Sequence, residues 1–277
     1  MTIARRSLIG SVAGTLLGGC SPAAILNMTV PRQGYGLEAD IPYGDGARRT
    51  LDFYRPEQPR ADGKAVIFFY GGSWDTGKKG DYLFVAQALA SRGLAVIVPD
   101  YRLYPEVRFP AFLEDGAQAT RWAADKVGVD RLFVMGHSAG GEIASMLCAN
   151  TRYLAKAEVD RLKLRGLIGL AGPYDFLPLT SAKLIDIFGG ANNPDIEAIT
   201  FAQAPLPPAL LIHGTADTVV YPRNSEHLAT AWRAAGAPAD LKLYPGVDHI
   251  DLIGAFSDFL HDKAPTREDV LGWIDSH

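Results

Sequence analysis

Short, uninterrupted runs of apolar residues recur along the chain. Runs of four or five apolar residues without polar alternation are typical of strands buried on both faces, as in a parallel sheet. Five segments of this kind are present, at 66–69, 94–98, 132–135, 167–170 and 209–212. Two further segments, 50–56 and 241–244, alternate between apolar and polar residues, which predicts strands near the two edges of the sheet.

Stretches with helical periodicity separate these predicted strands. We expect helices over 81–92, 109–126, 140–150, 225–235 and 266–276. The alternation of strand and helix predicts one α/β domain, with a mostly parallel twisted sheet of about eight strands and helices on both faces. Segment 173–208 is rich in Pro, Asn and Gly and interrupts the alternation. We expect it to form a short lid insertion above the strand ends.

Length and charge narrow the classes of protein to consider. The 277 residues, 48% of them hydrophobic, suffice for one α/β domain but not for two ordinary domains. The net charge of −4 and the lack of a basic stripe argue against a nucleic-acid partner.

The first twenty residues have the pattern of an export signal. Arg5 and Arg6 precede an uncharged, largely apolar run that is too short to span a bilayer and ends in Gly18-Gly19-Cys20. Small residues before a cysteine resemble the lipobox of bacterial lipoproteins, so we expect a signal over 1–19 and lipid attachment at Cys20. The arginine pair also resembles a twin-arginine signal, and the sequence leaves the export route open.

These features predict a protein of the bacterial cell envelope, lipid-anchored to a membrane and facing the periplasm or the exterior. The alternative is a cytoplasmic protein with an unprocessed apolar tail. In the first interpretation 1–19 is the signal, 20–43 a tether and 44–277 the folded domain. The second cysteine, Cys148, lies among apolar residues and is expected to be a buried, unreactive thiol.

The motif Gly-x-Ser-x-Gly occurs at 136–140, directly after a predicted buried strand and directly before a predicted helix. In that context the motif forms a tight turn that presents the serine hydroxyl, here that of Ser138, as a nucleophile. The backbone N–H of Ala139, at the start of the helix, is then a candidate oxyanion donor.

A serine needs a base to take its proton, and the base needs an acid to orient it. Asp217 and His249 each follow a later predicted strand, in the order Ser, Asp, His. Asp248 and Asp251 are alternative acids, although neighbours of His249 are poorly placed to reach its Nδ1. His213 is expected to support the Asp217 loop rather than to act as the base.

The segment that follows the predicted strand at 66–69 is a candidate oxyanion loop. Gly71 and Gly72 lack side chains, so that their N–H groups can approach a substrate carbonyl closely. Ser73 is a third candidate donor. Tyr70 and Trp74 flank the loop as possible contacts to the oxyanion or the substrate.

Taken together, these residues resemble the α/β-hydrolase superfamily, in particular carboxylesterases related to hormone-sensitive lipase, feruloyl esterases and kynurenine formamidases. The resemblance extends over about residues 50–249 and rests on several short motifs. They are 70–74, 100–103 with Pro105 and Glu106, Glu114-Asp115, 136–140, 173–175, 213–214 with Asp217, and 248–249. It implies an α/β-hydrolase catalytic domain over 44–277, without cofactor or metal, that works through an acyl-serine intermediate.

One position departs from the family pattern. The family usually has His before the two glycines, and this chain has Tyr70. The sequence therefore does not predict how the oxyanion loop packs, whereas the expected backbone donors are not affected. Asp100, Arg102 and Glu106 are expected to be structural, as an ion-pair network beneath the site.

The expected function is hydrolysis of small carboxylic esters, with an acyl or aryl group, by a carboxylesterase-type serine hydrolase. Aromatic residues near the site and the short lid favour small esters over long-chain lipids. Two alternatives use the same fold. One is an amide-cleaving relative, such as an arylformamidase or small peptidase, and the other is a non-catalytic binding lipoprotein. The oligomeric state and the natural substrate are not predicted.

Overall fold

A twisted eight-stranded sheet forms the centre of the molecule, which we describe from a computed structural model over residues 26–277. The strands are β1 (Tyr35–Pro42), β2 (Thr50–Pro56), β3 (Ala65–Phe69), β4 (Ala95–Pro99), β5 (Leu132–His137), β6 (Gly166–Leu170), β7 (Ala209–Gly214) and β8 (Ala239–Tyr244). Their order is β1-β2-β4-β3-β5-β6-β7-β8. β1 and β2 are antiparallel to their neighbours, and the other strands are parallel.

Eight α-helices lie wholly within the described residues and surround this sheet. They are α1 (Leu83–Ala90), α2 (Ala111–Val127), α3 (Ala139–Ala149), α4 (Thr151–Lys156), α5 (Ala182–Phe188), α6 (Arg223–Ala234), α7 (His249–Gly254) and α8 (Thr266–Ser276). The predicted α/β-hydrolase fold with about eight strands is thereby confirmed.

Burial explains why the central strands could be recognised. Every residue of β3, β5, β6 and β7 is buried, so these strands consist almost entirely of apolar residues and glycine. β5 lies between β3 and β6 near the middle of the sheet, and the chain reverses into α3 directly after it. The carboxyl end of β5 is therefore held rigidly from both sides.

The predicted boundary between tether and domain is wrong. Residues 35–42, which were assigned to the tether, form β1 and pair with β2. Most of β1 is exposed, in the pattern of an edge strand, and its Tyr35 and Ile41 are only partly buried against the core. A strand of this kind carries little apolar signal, and for this reason the folded domain begins before residue 44.

The insertion 173–208 is more regular than its composition indicates. It contains α5 and two 3-10 turns, Pro194–Ile196 and Ala198–Phe201. Ser181 caps the start of α5, with its hydroxyl accepting from Leu184 N–H, and Gly189, which has a left-handed φ of 73°, follows its end. Phe188 at its end is 1% exposed and packs against Trp74, with ring centroids 4.8 Å apart. The insertion is thereby anchored to the core beside the loop that follows β3.

The predicted signal over 1–19 and the predicted lipid site at Cys20 lie outside the described residues. Between residues 26 and 277, no helix has the length and hydropathy needed to cross a membrane. Cys148 is buried in α3, and its burial raises the pKa of the thiol to about 12.

Candidate active site

Ser138 occupies the sharp turn between β5 and α3, an elbow formed by residues 136–140. Its backbone has φ 54° and ψ −124°, a strained conformation for a residue with a side chain. The glycines of the motif permit this turn. A Cβ on Gly140 would lie 2.0 Å from the carbonyl oxygen of Phe69, and one on Gly136 would lie 1.9 Å from that of Gly140. No side chain fits at either position, so the spacing of the glycines follows from the contact between α3 and the strands.

Asp217 and His249 meet at the same edge of the sheet. Asp217 follows β7 and His249 begins α7 after β8, and Oδ2 of Asp217 lies 2.7 Å from Nδ1 of His249. Both residues are buried. The His249 ring packs against that of His137, the residue before Ser138, with centroids 4.7 Å apart. The structure therefore brings the predicted acid and base together beside the elbow.

The Asp217 carboxylate is held as an anion by several donors. Burial alone would raise its pKa, but hydrogen bonds from His213 and His249 and from the Val220 amide lower it well below the usual range. Oδ1 accepts the N–H groups of Val219 and Val220, each at 2.9 Å. An anion fixed in this way can hold the Nδ1–H tautomer of His249 and stabilise its protonated form.

The other candidate acids and bases have different partners. Asp248 caps α7, with its Oδ1 accepting the N–H groups of Ile250 and Asp251 at 2.9 and 2.8 Å. Asp251 lies 3.5 Å from Nζ of Lys263. His213 supports the Asp217 loop as expected, because its Nε2 lies 2.8 Å from the Val220 carbonyl oxygen.

The loop after β3 is fixed through its carbonyl oxygens. The Tyr101 hydroxyl donates to the Tyr70 carbonyl at 2.7 Å, and Thr76 N–H donates to the Gly72 carbonyl at 2.9 Å. Within residues 26–277, no hydrogen bond uses the N–H of Gly71 or Gly72. Gly71 also lies directly against Ser138, since a Cβ on it would be 2.9 Å from the Ser138 Cβ. The N–H groups of Gly71 and Gly72 are thus unpaired in the described residues and remain candidate donors to a substrate oxygen.

Tyr70 is not a substrate contact, contrary to one of the expectations above. Its side chain is fully buried between the rings of Tyr82 and Tyr101. Its hydroxyl donates to Oδ1 of Asp100 at 2.7 Å and accepts from the Arg48 guanidinium at 2.8 Å. Tyr70 therefore anchors the loop to Asp100 and Arg48, through a side-chain network that its sequence position alone does not reveal.

The acidic and basic residues near Asp100 are structural, as expected for Asp100 and Arg102. Asp100 accepts from Tyr70 and from the Lys79 amide, the latter at 2.7 Å. The Arg102 guanidinium donates two hydrogen bonds to the fully buried Asp115, of 2.8 and 2.7 Å, and the Arg102 amide donates a third, of 3.0 Å. Glu106 is exposed and takes no part in these hydrogen bonds.

Two cavities adjoin the loop that follows β3. The first, of about 390 Å³, adjoins Ser138 and Ala139, and part of the insertion forms its wall. Its other lining residues include Ser73, Trp74, Phe176, Leu179, Leu184, Val220 and Arg223. The second, of about 310 Å³, is lined by Gly71, Gly72 and His137, together with Leu26, Tyr82, Phe84, Ile250 and Ile253. Ser73 and Trp74 thus line the cavity that adjoins Ser138, and their contact with the oxyanion or the substrate stays a prediction.

Three contributions to the site were missed in the sequence. The Val219 and Val220 amides bind Asp217, the Tyr101 hydroxyl binds the loop, and Glu142 accepts a hydrogen bond from Trp74. Each joins residues distant in sequence or involves a backbone group, so no local motif marks it. In the described part of the chain, no cluster of three or more His, Cys, Asp and Glu side chains is placed to hold a metal ion.

Comparison with known proteins gives consistent results at the level of the fold. A Pyrobaculum calidifontis esterase superposes with a TM-score of 0.77 at 24% identity, covering 92% of this chain and 90% of that chain. A truncated carbohydrate esterase from gut microbiota superposes with a TM-score of 0.75 at 22% identity, covering 90% of this chain and 98% of that chain. Identities this low show the fold alone.

Sequence comparison finds curated relatives that include methylesterases and kynurenine formamidases. A probable isoprenylcysteine alpha-carbonyl methylesterase from Oryza sativa subsp. japonica is 30% identical over 257 residues. The alignment covers 83% of this chain but only 60% of the length of that relative. The kynurenine formamidase of Danio rerio is 24% identical, with 77% of this chain and 75% of that protein covered. The BD-FAE family matches residues 51–232, which is well over half of the chain. The chain therefore belongs to the BD-FAE family of α/β-hydrolases.

Proposed function

We propose that this protein is a serine carboxylesterase that cleaves small acyl or aryl esters. The observation that carries the proposal is the contact between Asp217 and His249, at 2.7 Å, beside the strained elbow of Ser138. A nucleophile, a base and an oriented acid in this arrangement are the requirements of acyl transfer through a covalent intermediate.

The proposed reaction has two steps, acylation and deacylation of Ser138. His249 takes the proton of Ser138 Oγ as the oxygen attacks the ester carbonyl. The amides of Gly71, Gly72 and Ala139 donate to the oxyanion that forms. His249 then gives the proton to the departing alcohol, which leaves an acyl-Ser138. A water molecule, deprotonated by His249, attacks the acyl group, and Ser138 regains its proton as the acid departs.

The size of the substrate is inferred from the first cavity. At about 390 Å³, closed on one side by the insertion, it suits a short acyl or aryl group rather than a long lipid chain. The names of the relatives support ester hydrolysis in general terms, since methylesterases and esterases stand among them. Their own substrates do not transfer to this chain at these identities.

The proposal is tested with a fluorophosphonate probe and a panel of esters. We expect covalent labelling and hydrolysis of p-nitrophenyl acetate, both lost in Ser138→Ala, and lower turnover of p-nitrophenyl palmitate. A preference for palmitate would contradict the assignment to small esters. Absence of labelling in correctly folded protein would favour a non-catalytic binding protein with this fold.

Amide cleavage is a second candidate function, favoured by the similarity to kynurenine formamidases. The same serine, base and acid cleave an activated amide by the same two steps. Measuring kcat/KM for N-formylkynurenine beside that for the esters distinguishes the candidates. A formamide rate well above every ester rate would reverse the order of preference.

We also propose that Cys20 carries a lipid that anchors the protein to the bacterial cell envelope, facing the periplasm or the exterior. The support is the charged start, the short apolar run and the small residues before Cys20. We expect incorporation of a labelled fatty acid and processing sensitive to globomycin, both abolished in Cys20→Ala. Cys148→Ala is the matched control, since Cys148 is buried. Fatty-acid labelling that survives in Cys20→Ala would contradict the proposal.

A further inference from the structure

Glu142 is a buried acid that the proposed reaction does not use. It lies in the first turn of α3, four residues after Ser138, and none of its surface is exposed. Its Oε2 accepts a hydrogen bond from the indole Nε1–H of Trp74 at 3.1 Å. Its Oε1 has no partner, and no Lys or Arg in the described residues forms an ion pair with it. Burying a carboxyl group without a cation costs free energy, so we expect this side chain to have a structural or functional role.

Trp74, the donor in this hydrogen bond, ends the oxyanion loop. Ser73 and Trp74 have φ values of 51° and 60°, in the left-handed region that side chains disfavour. The Trp74 carbonyl accepts from Tyr104 N–H at 2.9 Å, and its ring packs against Phe188. The strained turn is therefore held in place by contacts of Trp74, and the bond to Glu142 is the only hydrogen bond of the indole.

The hydrogen bond between Trp74 and Glu142 joins the two elements that carry the proposed oxyanion donors, the loop after β3 and α3. Gly71 and Gly72 belong to the loop that Trp74 ends, whereas Ala139 is the first residue of the helix that carries Glu142. The distance between the two sets of amides depends on how the loop sits on α3. A direct bond between a loop side chain and a helix side chain fixes that distance, as a preorganised oxyanion hole requires.

We infer that Glu142 is a positioning residue, which accepts a hydrogen bond from Trp74 and thereby aligns the oxyanion loop with the N-terminus of α3. The inference rests on the proposed serine-esterase function and deepens it. The carboxyl group acts in its neutral form, since a carboxylate with an unpaired, fully buried oxygen is costly. Burial raises the pKa of Glu142 well above its usual range, although the Trp74 hydrogen bond lowers it.

The experiment compares variants that keep or remove the acceptor. Glu142→Met has similar length but accepts no hydrogen bond, whereas Glu142→Gln restores an acceptor. Trp74→Phe removes the donor from the other side. Ser145→Ala is the matched control, because the buried Ser145 hydroxyl, also on α3, donates only to the Glu142 backbone carbonyl, at 2.9 Å. Thermal unfolding verifies that each variant is folded.

We expect kcat in Glu142→Met to fall by about tenfold, less than the ~10²–10³ that removal of a whole donor costs. The loss should be equal for acetyl and butyryl p-nitrophenyl esters, with KM changed by less than about twofold, because the oxyanion is common to both. Fluorophosphonate labelling should slow in parallel. Glu142→Gln should recover most of the rate. Glu142→Met combined with Trp74→Phe should be no slower than the slower single variant.

Several results would overturn the inference. A wild-type kcat in folded Glu142→Met or Trp74→Phe would show that the bond does not align the donors. A loss confined to KM, or one that grows with acyl length, would show that Trp74 only shapes the cavity. Failure of Glu142→Gln to recover activity would also contradict it. If Glu142→Met does not fold, Trp74→Phe decides alone. An inactive wild-type enzyme would instead contradict the proposed function.

Discussion

At the scale of single residues, Tyr70 shows how this chain keeps the loop after β3, the proposed oxyanion loop, in place. The family pattern has His at this position, whereas here a tyrosine ring stacks on Tyr101 and its hydroxyl reaches Asp100. The loop is thus supported by a phenol that bonds a carboxylate and a guanidinium. The substitution exchanges one anchor for another and leaves the backbone donors free.

Removing the Tyr70 hydroxyl should destabilise the protein and slow catalysis. We expect Tyr70→Phe to lose about 1.5–3 kcal/mol of unfolding free energy, typical of a hydrogen bond to a charged group, and to lower kcat. Urea denaturation and steady-state kinetics measure the two effects. Tyr82→Phe is the control, because its hydroxyl lies 3.5 Å from the Gly71 carbonyl and bonds it only weakly. Equal losses in both variants would contradict a specific role for Tyr70.

Glu142 should give the protein a distinctive dependence of stability on pH. Because its folded-state pKa is raised above the ordinary value of 4.5, its favourable contribution is present below that pH and is lost as the pH rises toward the raised value. We expect the unfolding free energy of wild type to fall relative to Glu142→Gln by about 1.4 kcal/mol per pH unit in this range. Urea denaturation of both proteins between pH 5 and pH 8 measures the difference. Parallel curves would show that Glu142 is ionised in the folded protein.

At the scale of elements, the contact between α3 and the sheet decides what the elbow tolerates. Gly140 faces the backbone of Phe69 and Tyr70 so closely that even a methyl group would overlap with it. Gly272, in α8, has open space within 4 Å of the position that a methyl group would occupy, and its φ is not positive. Packing therefore requires glycine at position 140 but not at position 272.

Substitution of these two glycines by alanine should have opposite effects. Gly140→Ala should push α3 away from β3 and abolish ester hydrolysis and labelling of Ser138. Gly272→Ala should leave activity unchanged and raise stability by about 0.5–1 kcal/mol, since alanine favours the helix. Thermal unfolding and a p-nitrophenyl acetate assay distinguish the two. An active Gly140→Ala enzyme would show that the backbone can yield at this contact.

Element recognition from sequence succeeded where burial is extreme. The central strands β3 to β7 are buried on both faces, and their apolar runs marked them. β1 is largely exposed and α5 is only seven residues long, so neither shows a clear periodicity of hydrophobic residues in the sequence. For both elements, pairing and packing with distant residues outweigh local preference.

The candidate site was likewise predicted from the sequence only in part. The order of Ser138, Asp217 and His249 and their positions after strands were readable, because strand ends in a parallel sheet share one edge. The partners of Tyr70 and Glu142 were not readable, since each lies tens of residues away along the chain. Local sequence reports which chemistry is present, whereas the supporting contacts arise from the tertiary fold.

At the scale of the whole molecule, stability does not depend on a disulfide within the described residues. Cys148 is the one cysteine there, and it is buried as a free thiol. We expect the melting temperature to be the same with and without a thiol reductant. In Cys20→Ala, a thiol reagent should react with Cys148 only after unfolding, at the rate of global opening. Rapid labelling of the native protein would show that α3 opens locally.

The order of the strands also has a kinetic consequence. Ser138 follows β5 in the middle of the sheet, but Asp217 and His249 follow β7 and β8, which add to one side in succession. Each parallel pairing closes a long crossover, a slow kind of step in folding. During refolding, backbone helicity should therefore return before the ability to turn over an ester. Recovery of ester hydrolysis should therefore report when β8 docks, because His249, the proposed base, reaches Asp217 only when the far edge of the sheet is complete.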